Sequence, residues 1–141
     1  MTIAVDFDGT IVEHKYPEIG KEKPFAIDTL LKLQSEGHKI ILWSVREGKL
    51  LDDAVYFCKE RGLEFYAVNS DNQTGALFKK VETRKLRADL YIDDRNIGGI
   101  PDWDTIYEMV TGLHRERDEK RKKRRGLFGG RKRQKESTQL S

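Results

Sequence analysis

A single cysteine, Cys58, stands in this chain of 141 residues, so no disulfide can close within it and nothing in the composition calls for an oxidising compartment. No apolar run approaches membrane-spanning length. The opening residues carry no basic stretch and reach Asp6 and Asp8 before the apolar centre of a signal peptide could form, so the expectation is a cytoplasmic protein without a membrane span. The three histidines, His14, His38 and His114, are too scattered to suggest a metal site of their own. P-loop, Ser-His-Asp order and internal repeats are all missing.

Charge is plentiful and unevenly placed. Residues 1–113 hold 15 Lys+Arg against 20 Asp+Glu, and residues 114–141 hold 12 against 4. An acidic globular domain over 1–113 is therefore expected to carry a basic tail over 114–141, and the sequence pI of about 8.9 describes neither part. The tail has no apolar residue from His114 to Arg125 and, apart from Phe128, no aromatic residue on which a base could stack. It is expected to be a solvated helical extension or disordered, with any helix broken at Gly126 to Gly130 and disorder from Arg131 to Ser141.

The sharpest signal is Ile3-Ala4-Val5-Asp6-Phe7-Asp8-Gly9-Thr10. Three apolar residues predict a short buried strand and Gly9 a turn after it, so two carboxylates stand where a strand ends. Ligands in open α/β sheets bind at the carboxyl ends of strands, and two such aspartates can share a hard cation. Phe7 between them is expected to point into the core.

Further along, Pro24 fits a first helical position, and Ala26, Ile27, Leu30, Leu31 and Leu33 keep helical spacing until Gly37. His38 to Trp43 reads as the second strand, ending at Ser44-Val45-Arg46. Leu51, Ala54, Val55 and Cys58 mark an amphipathic second helix closed by Gly62, with Cys58 in the core. Leu63 to Asn69 reads as a third strand, Ser70 to Thr83 as a polar connection and Ala88 to Ile92 as a fourth strand ending in Asp93-Asp94. Asp102 is a plausible N-cap for a last helix with the stripe Ile106, Met109, Val110 and Leu113. This alternation predicts a parallel sheet with right-handed crossovers.

These strand-end residues, in this order, resemble the four motifs of the haloacid dehalogenase (HAD) superfamily of phosphohydrolases over residues 1 to about 113. The resemblance implies a Rossmann-like three-layer α/β sandwich, here without a cap domain, because neither connection that carries a cap in larger members has room for one. It implies that Asp6 is the nucleophile that becomes an aspartyl phosphate and that Asp8 is the general acid and base. Ser44 would bind the phosphoryl group together with the backbone of the Gly9-Thr10 turn. Lys85 would bridge nucleophile and phosphoryl group, with Lys79, Lys80 and Arg84 as rivals. Mg²⁺ would sit on Asp6, the Asp8 carbonyl and Asp93, with Asp94 in support. Arg46 is left between gripping a phosphate and forming a surface ion pair with Glu47 or Asp53, and His14 between a substrate contact and plain solvation.

The expected activity is Mg²⁺-dependent phosphomonoester hydrolysis. The alternative is a nucleic-acid-associated protein led by the basic tail, which the sequence alone ranks below a solubilising role. A site without a cap suits either a large substrate or closure by a second subunit of a homo-oligomer.

Overall fold

Ile3, Ala4 and Val5 are at most 1% exposed, and Ile40, Ile41 and Leu42 are wholly buried, as unbroken apolar runs should be when both faces of a strand are covered. They form the two central strands of the computed structural model, which describes residues 1–71 and 84–139, the stretch 128–139 as helical backbone only. The elements run β1 (Thr2–Val5), α1 (Ala26–Ser35), β2 (Lys39–Leu42), α2 (Gly48–Glu60), β3 (Ala67–Val68), β4 (Leu90–Ile92) and α3 (Trp103–Gln139). All strand pairs are parallel, in the order β3-β2-β1-β4. Ile3 stands beside Ile40 on one side and Leu90 on the other. The expected α/β architecture, a parallel sheet flanked by helices, is the one observed.

The chain steps outward from β1 to β2 to β3 and then returns to the opposite flank of β1. That reversal makes the carboxyl end of β1 the topological switch point, where the crevice of an open sheet lies. Every strand-end motif singled out above, at β1, β2 and β4, therefore opens toward one edge of the sheet.

Several boundaries differ from expectation: β2 is one residue shorter at each end, and β4 starts at Leu90 rather than Ala88. β3 pairs only through Ala67 and Val68 because it is an edge with a partner on one side; Tyr66 and Asn69 each donate a single backbone hydrogen bond to β2 beyond those two residues. Helix α1 starts at Ala26 rather than Pro24, because Phe25 adopts a left-handed conformation with φ 64° and leaves the helix without a side-chain cap. Glu22 compensates, its carboxylate accepting from the Ile27 amide at 3.2 Å.

Between β1 and α1 the chain folds into a small flap. Glu13 donates to the Lys21 carbonyl and Lys23 to the Ile11 carbonyl, both at 2.8 Å. Gly20 is required here, since a Cβ would stand 2.0 Å from the Glu13 carbonyl oxygen. Among the described residues no inserted domain covers the carboxyl end of the sheet.

The chain divides into two compact units, Met1–Thr105 and Ile106–Ser141. The second is helix α3 from Ile106 onward. Contrary to the expected break at Gly126, α3 continues to Gln139. Glu116, Asp118 and Glu119 stand one turn before Lys120, Lys122 and Lys123, the favourable acid-before-base order, and each such pair adds about 0.2–0.5 kcal/mol to an exposed helix. No helix among the described residues is long and apolar enough to cross a membrane.

Candidate functional site

The Asp6 amide donates to the Ile92 carbonyl at 2.9 Å, so the β1 strand line continues one residue past its last pair and brings Asp6 beside the end of β4. Phe7 turns into the core as expected, fully buried and edge-on to Phe57 at 5.9 Å. The following turn is tied to Phe7, whose carbonyl accepts from the amides of Thr10, Ile11 and Val12. Thr10 links the two strand ends: its hydroxyl donates to Asp6 Oδ2 at 2.9 Å and accepts from the Asp94 amide at 3.1 Å. Its carbonyl accepts from the indole of Trp103 at 3.0 Å.

Gly9 and Thr10 were expected to offer backbone N–H groups to a phosphoryl oxygen. Those amides are engaged within the turn, Gly9 with the Val12 carbonyl and Thr10 with that of Phe7. What Gly9 contributes is space: φ is 81°, and a Cβ would lie 2.2 Å from Asp94 Oδ2. Thr10 is a positioning residue between Asp6 and Asp94.

Asp6, Asp93 and Asp94 form a cluster in which one carboxylate oxygen of each lies within 4.8 Å of the others. Among the described residues no lysine or arginine side chain pairs with them. The neighbours of the cluster orient it: the Arg95 amide donates to Asp93 Oδ1 at 2.9 Å, and Asn96 Nδ2 to the Asp93 carbonyl at 2.7 Å. Burial, then the charge of Asp93 and a hydrogen bond with Asp94, push the Asp6 carboxyl from 3.8 up to about 7, against a lowering by Thr10. Such a group favours a proton or a cation over standing ionised and alone.

Asp8 goes elsewhere. Its carboxylate is gripped at both oxygens by Arg46, Nε to Oδ2 and Nη2 to Oδ1, each at 2.8 Å. The remaining guanidinium hydrogens reach the carbonyls of Pro17, Leu50 and Glu18, so all five donors are engaged. Arg46 is 1% exposed and lies between the rings of Phe7 and Tyr16, 5.2 Å from each centroid. Asp8 first, by its hydrogen bonds, holds the guanidinium protonated beyond its ordinary value. Arg46 therefore neither offers a free fork to a phosphate nor makes a surface pair with Glu47 or Asp53. It fastens the flap tip at residues 17 and 18 to the end of β1, and Asp8 joins the Asp6, Asp93 and Asp94 cluster with neither carboxylate oxygen.

Ser44 lies just past β2, half-buried. Its amide donates to Asn69 Oδ1 at 2.8 Å and its hydroxyl accepts from the Arg46 amide at 3.1 Å, leaving the hydroxyl proton to donate. Lys85 is exposed and seats its ammonium 4.8 Å over the ring of Tyr91, and among the described residues it makes no ion pair with a carboxylate. Lys79 and Lys80 lie outside the described residues. Arg84 pairs with Asp71 at 3.2 Å, and His14 is exposed. Trp103, Asn69 and Tyr16 were not singled out by sequence. Asn69 had a signal, since asparagine tolerates the left-handed φ of 50° found there; Trp103 and Tyr16 had none.

Fold and site together define an α/β protein with a cation-competent acidic centre at the switch point of a parallel sheet. No family model and no curated protein matches the chain. It is similar to a solved structure, that of the conserved protein coded by locus from Bacteroides thetaiotaomicron, with 63% identity, a TM-score of 0.74, and coverage of 80% of this chain and 91% of that one. At that identity and coverage the chain belongs to the family of this conserved protein.

Proposed function

We propose that the chain is a Mg²⁺-dependent phosphomonoester hydrolase working through an aspartyl phosphate on Asp6, a compact HAD-type phosphatase without a cap. The observation that carries this reading is the convergence of Asp6, Asp93 and Asp94 at the switch point with no protein cation against them among the described residues. An all-oxygen set of carboxylates suits a hard divalent cation, and Asp6, Asp93, Asp94 and the Asp8 carbonyl would hold it. Bound there, Mg²⁺ supplies the positive charge that lets a phosphate dianion approach an ionised carboxylate.

The residues then divide the work. A carboxylate oxygen of Asp6 attacks phosphorus, the bond to the leaving oxygen breaks, and Asp8 protonates that oxygen. Water next attacks the phosphorus of the aspartyl phosphate, Asp8 takes its proton, and the bond to the Asp6 oxygen breaks to release inorganic phosphate. Because Arg46 holds both oxygens of the Asp8 carboxylate, the acid step requires Asp8 to turn away from it and to take a proton from solvent before giving one to the leaving oxygen. Ser44 donates its hydroxyl proton to a phosphoryl oxygen. Lys85 is the lysine that would bridge Asp6 and that group, leaving the Tyr91 ring to do so. The single buried thiol, pushed up to about 12 by desolvation, is inert and suits a cytoplasmic location.

The test is phosphate release from an aryl phosphate, and then from a panel of sugar phosphates, nucleotides and phosphorylated oligonucleotides, with and without Mg²⁺. Mg²⁺-dependent turnover with hydroxylamine-trapped Asp6 supports the reading, and no Mg²⁺-dependent turnover across the panel refutes it. Gly9→Ala probes the geometry. Its Cβ would drive the Asp94 carboxylate out of place, and a displacement of about 1 Å near the chemistry costs on the order of 100-fold in kcat/KM. The positive φ adds about 1–2 kcal/mol of strain, read from the thermal midpoint. Unchanged turnover in Gly9→Ala would separate Asp94 from the reaction. Asp93→Asn is expected to weaken Mg²⁺ more than Asp94→Asn does, as read by Mg²⁺ titration of the thermal midpoint; the opposite ranking would exchange their parts.

A further inference from the structure

We infer that the extension of α3 beyond Leu113 is a binding element for duplex DNA, a role that rests on the helix and its charge and not on the phosphatase reading. The argument begins with continuity. The extension belongs to one helix that runs to Gln139, so its cations are held at fixed spacing rather than spread along a disordered chain. From His114 to Leu127 it carries eight Lys+Arg against three Asp+Glu. Every residue from Glu119 to Leu127 is exposed.

The distribution of the charge selects the partner. At 100° per residue, Lys120, Arg121, Lys122, Lys123, Arg124 and Arg125 point around the whole circumference, and no apolar residue interrupts them from His114 to Gly126. A helix lying on a membrane needs one apolar face to bury, and this segment has none. Single strands are held by stacking on aromatic side chains, and here only Phe128 is aromatic. A helix charged on all sides fits where anions flank it on both sides. The major groove of B-form DNA, about 12 Å wide, admits an α-helix of about 10–12 Å diameter between two rows of phosphates. The corresponding groove of duplex RNA is too deep and narrow. From His114 to Gln139 at 1.5 Å per residue the extension is about 39 Å long, enough to follow a groove for several base pairs. Arg and Lys dominate it, and their charge surrounds the helix rather than lining one face turned to the base edges, so it would grip phosphates on both sides, giving binding that is strong at low salt and largely indifferent to sequence.

The experiment uses the full chain and a 20-base-pair duplex DNA labelled for fluorescence anisotropy. If six or more phosphates are contacted, affinity falls about 1,000-fold or more between 50 and 200 mM salt, with a log-log slope of about −5 or steeper. The variant Lys120→Gln, Arg121→Gln, Lys123→Gln, Arg124→Gln, Arg125→Gln keeps good helix formers in place and should flatten that slope by about 3 to 4.5, at 0.9 per lost contact. Far-UV circular dichroism checks that its helix content is unchanged. Arg121→Lys, Arg124→Lys, Arg125→Lys keeps the charge and should keep the slope, so a loss in the glutamine variant with retention in the lysine variant assigns the effect to charge. Three results overturn the inference: no salt-dependent binding of duplex by the full chain, an unchanged slope in the glutamine variant, or affinity for a single strand, duplex RNA or phosphatidylserine vesicles equal to or tighter than that for duplex DNA.

Discussion

Asp6→Asn is expected to raise the thermal midpoint of the metal-free protein at pH 8 while abolishing its turnover, two effects of opposite sign from one nearly isosteric change. In the folded state the Asp6 carboxyl stands at about 7 against an ordinary 3.8. A folded pKa raised above the unfolded one contributes stability that is fully present below the unfolded value and lost as pH rises through the folded value. The wild type therefore loses stability between about pH 4 and pH 7, and the loss levels off above that. Three pKa units correspond to about 4 kcal/mol. Because part of the carboxyl meets solvent, about 2–4 kcal/mol is the range to expect. Asparagine carries no charge to desolvate, so its advantage grows across the same window and vanishes near pH 4. For a chain of this size that is on the order of 10 °C at pH 8. On the proposed reading Mg²⁺ is expected to reverse the ranking, since binding to the native state would stabilise by RT ln(1 + [L]/Kd) and Asp6→Asn would remove a ligand. A midpoint for Asp6→Asn at pH 8 at or below wild type without metal would show that the cluster is not strained by its own charge. The expected loss of turnover is on the order of 10⁴-fold or more, the scale seen when a nucleophile is removed.

Breaking the Asp8 and Arg46 pair is the second large effect. Both partners are buried, at 7% and 1% exposure, so Arg46→Met leaves a carboxylate without compensation and Asp8→Asn leaves a guanidinium in the same condition. Each is expected to cost about 3–5 kcal/mol in urea unfolding. The double variant should cost much less than the sum, because neither buried charge then remains unmatched. Additive losses would mean that the two side chains do not depend on each other in solution. Arg46→Met also releases the carbonyls of Pro17 and Glu18, so amide exchange in residues 14–20 should quicken while β1 and β2 stay protected. In catalysis, Asp8→Asn is expected to trap phosphoenzyme, since water then lacks its base; phosphate released at the wild-type rate would take Asp8 out of that role.

The strands and most helix limits were legible because the signals are local. Apolar runs at Ile3 to Val5 and Ile40 to Leu42 announce strands buried on both faces, and the carboxylates after β1 and β4 announce strand ends without knowledge of any partner. Asp6 was marked out by that local pattern, and Asp93 and Asp94 by the resemblance of their strand-end doublet to a HAD motif; a parallel sheet with β4 beside β1 brings the three together. The continuation of α3 past Leu113 was also written locally, in the acid-before-lysine spacing from Glu116 to Lys123, but the glycines at 126, 129 and 130 argued for a break that the helix does not make.

What the tertiary structure decided are the pairings that cross the chain. Arg46 meets Asp8 across 38 residues and Thr10 meets Asp94 across 84. A guanidinium two residues beyond a strand looks the same in sequence whether it faces solvent or a buried carboxylate. Only the flap folding over it, with the carbonyls of Pro17 and Glu18 brought within reach, excludes water and makes that ion pair the place where Arg46 belongs. Lys85 also has many reachable partners, and the loop before β4, held by the Tyr91 hydroxyl at Leu86 and Ala88, sets the Tyr91 ring beneath it. Local pattern determines which residues are apolar and where a strand stops; which charge faces which depends on sheet order and loop closure, and these arise from burying the whole core at once.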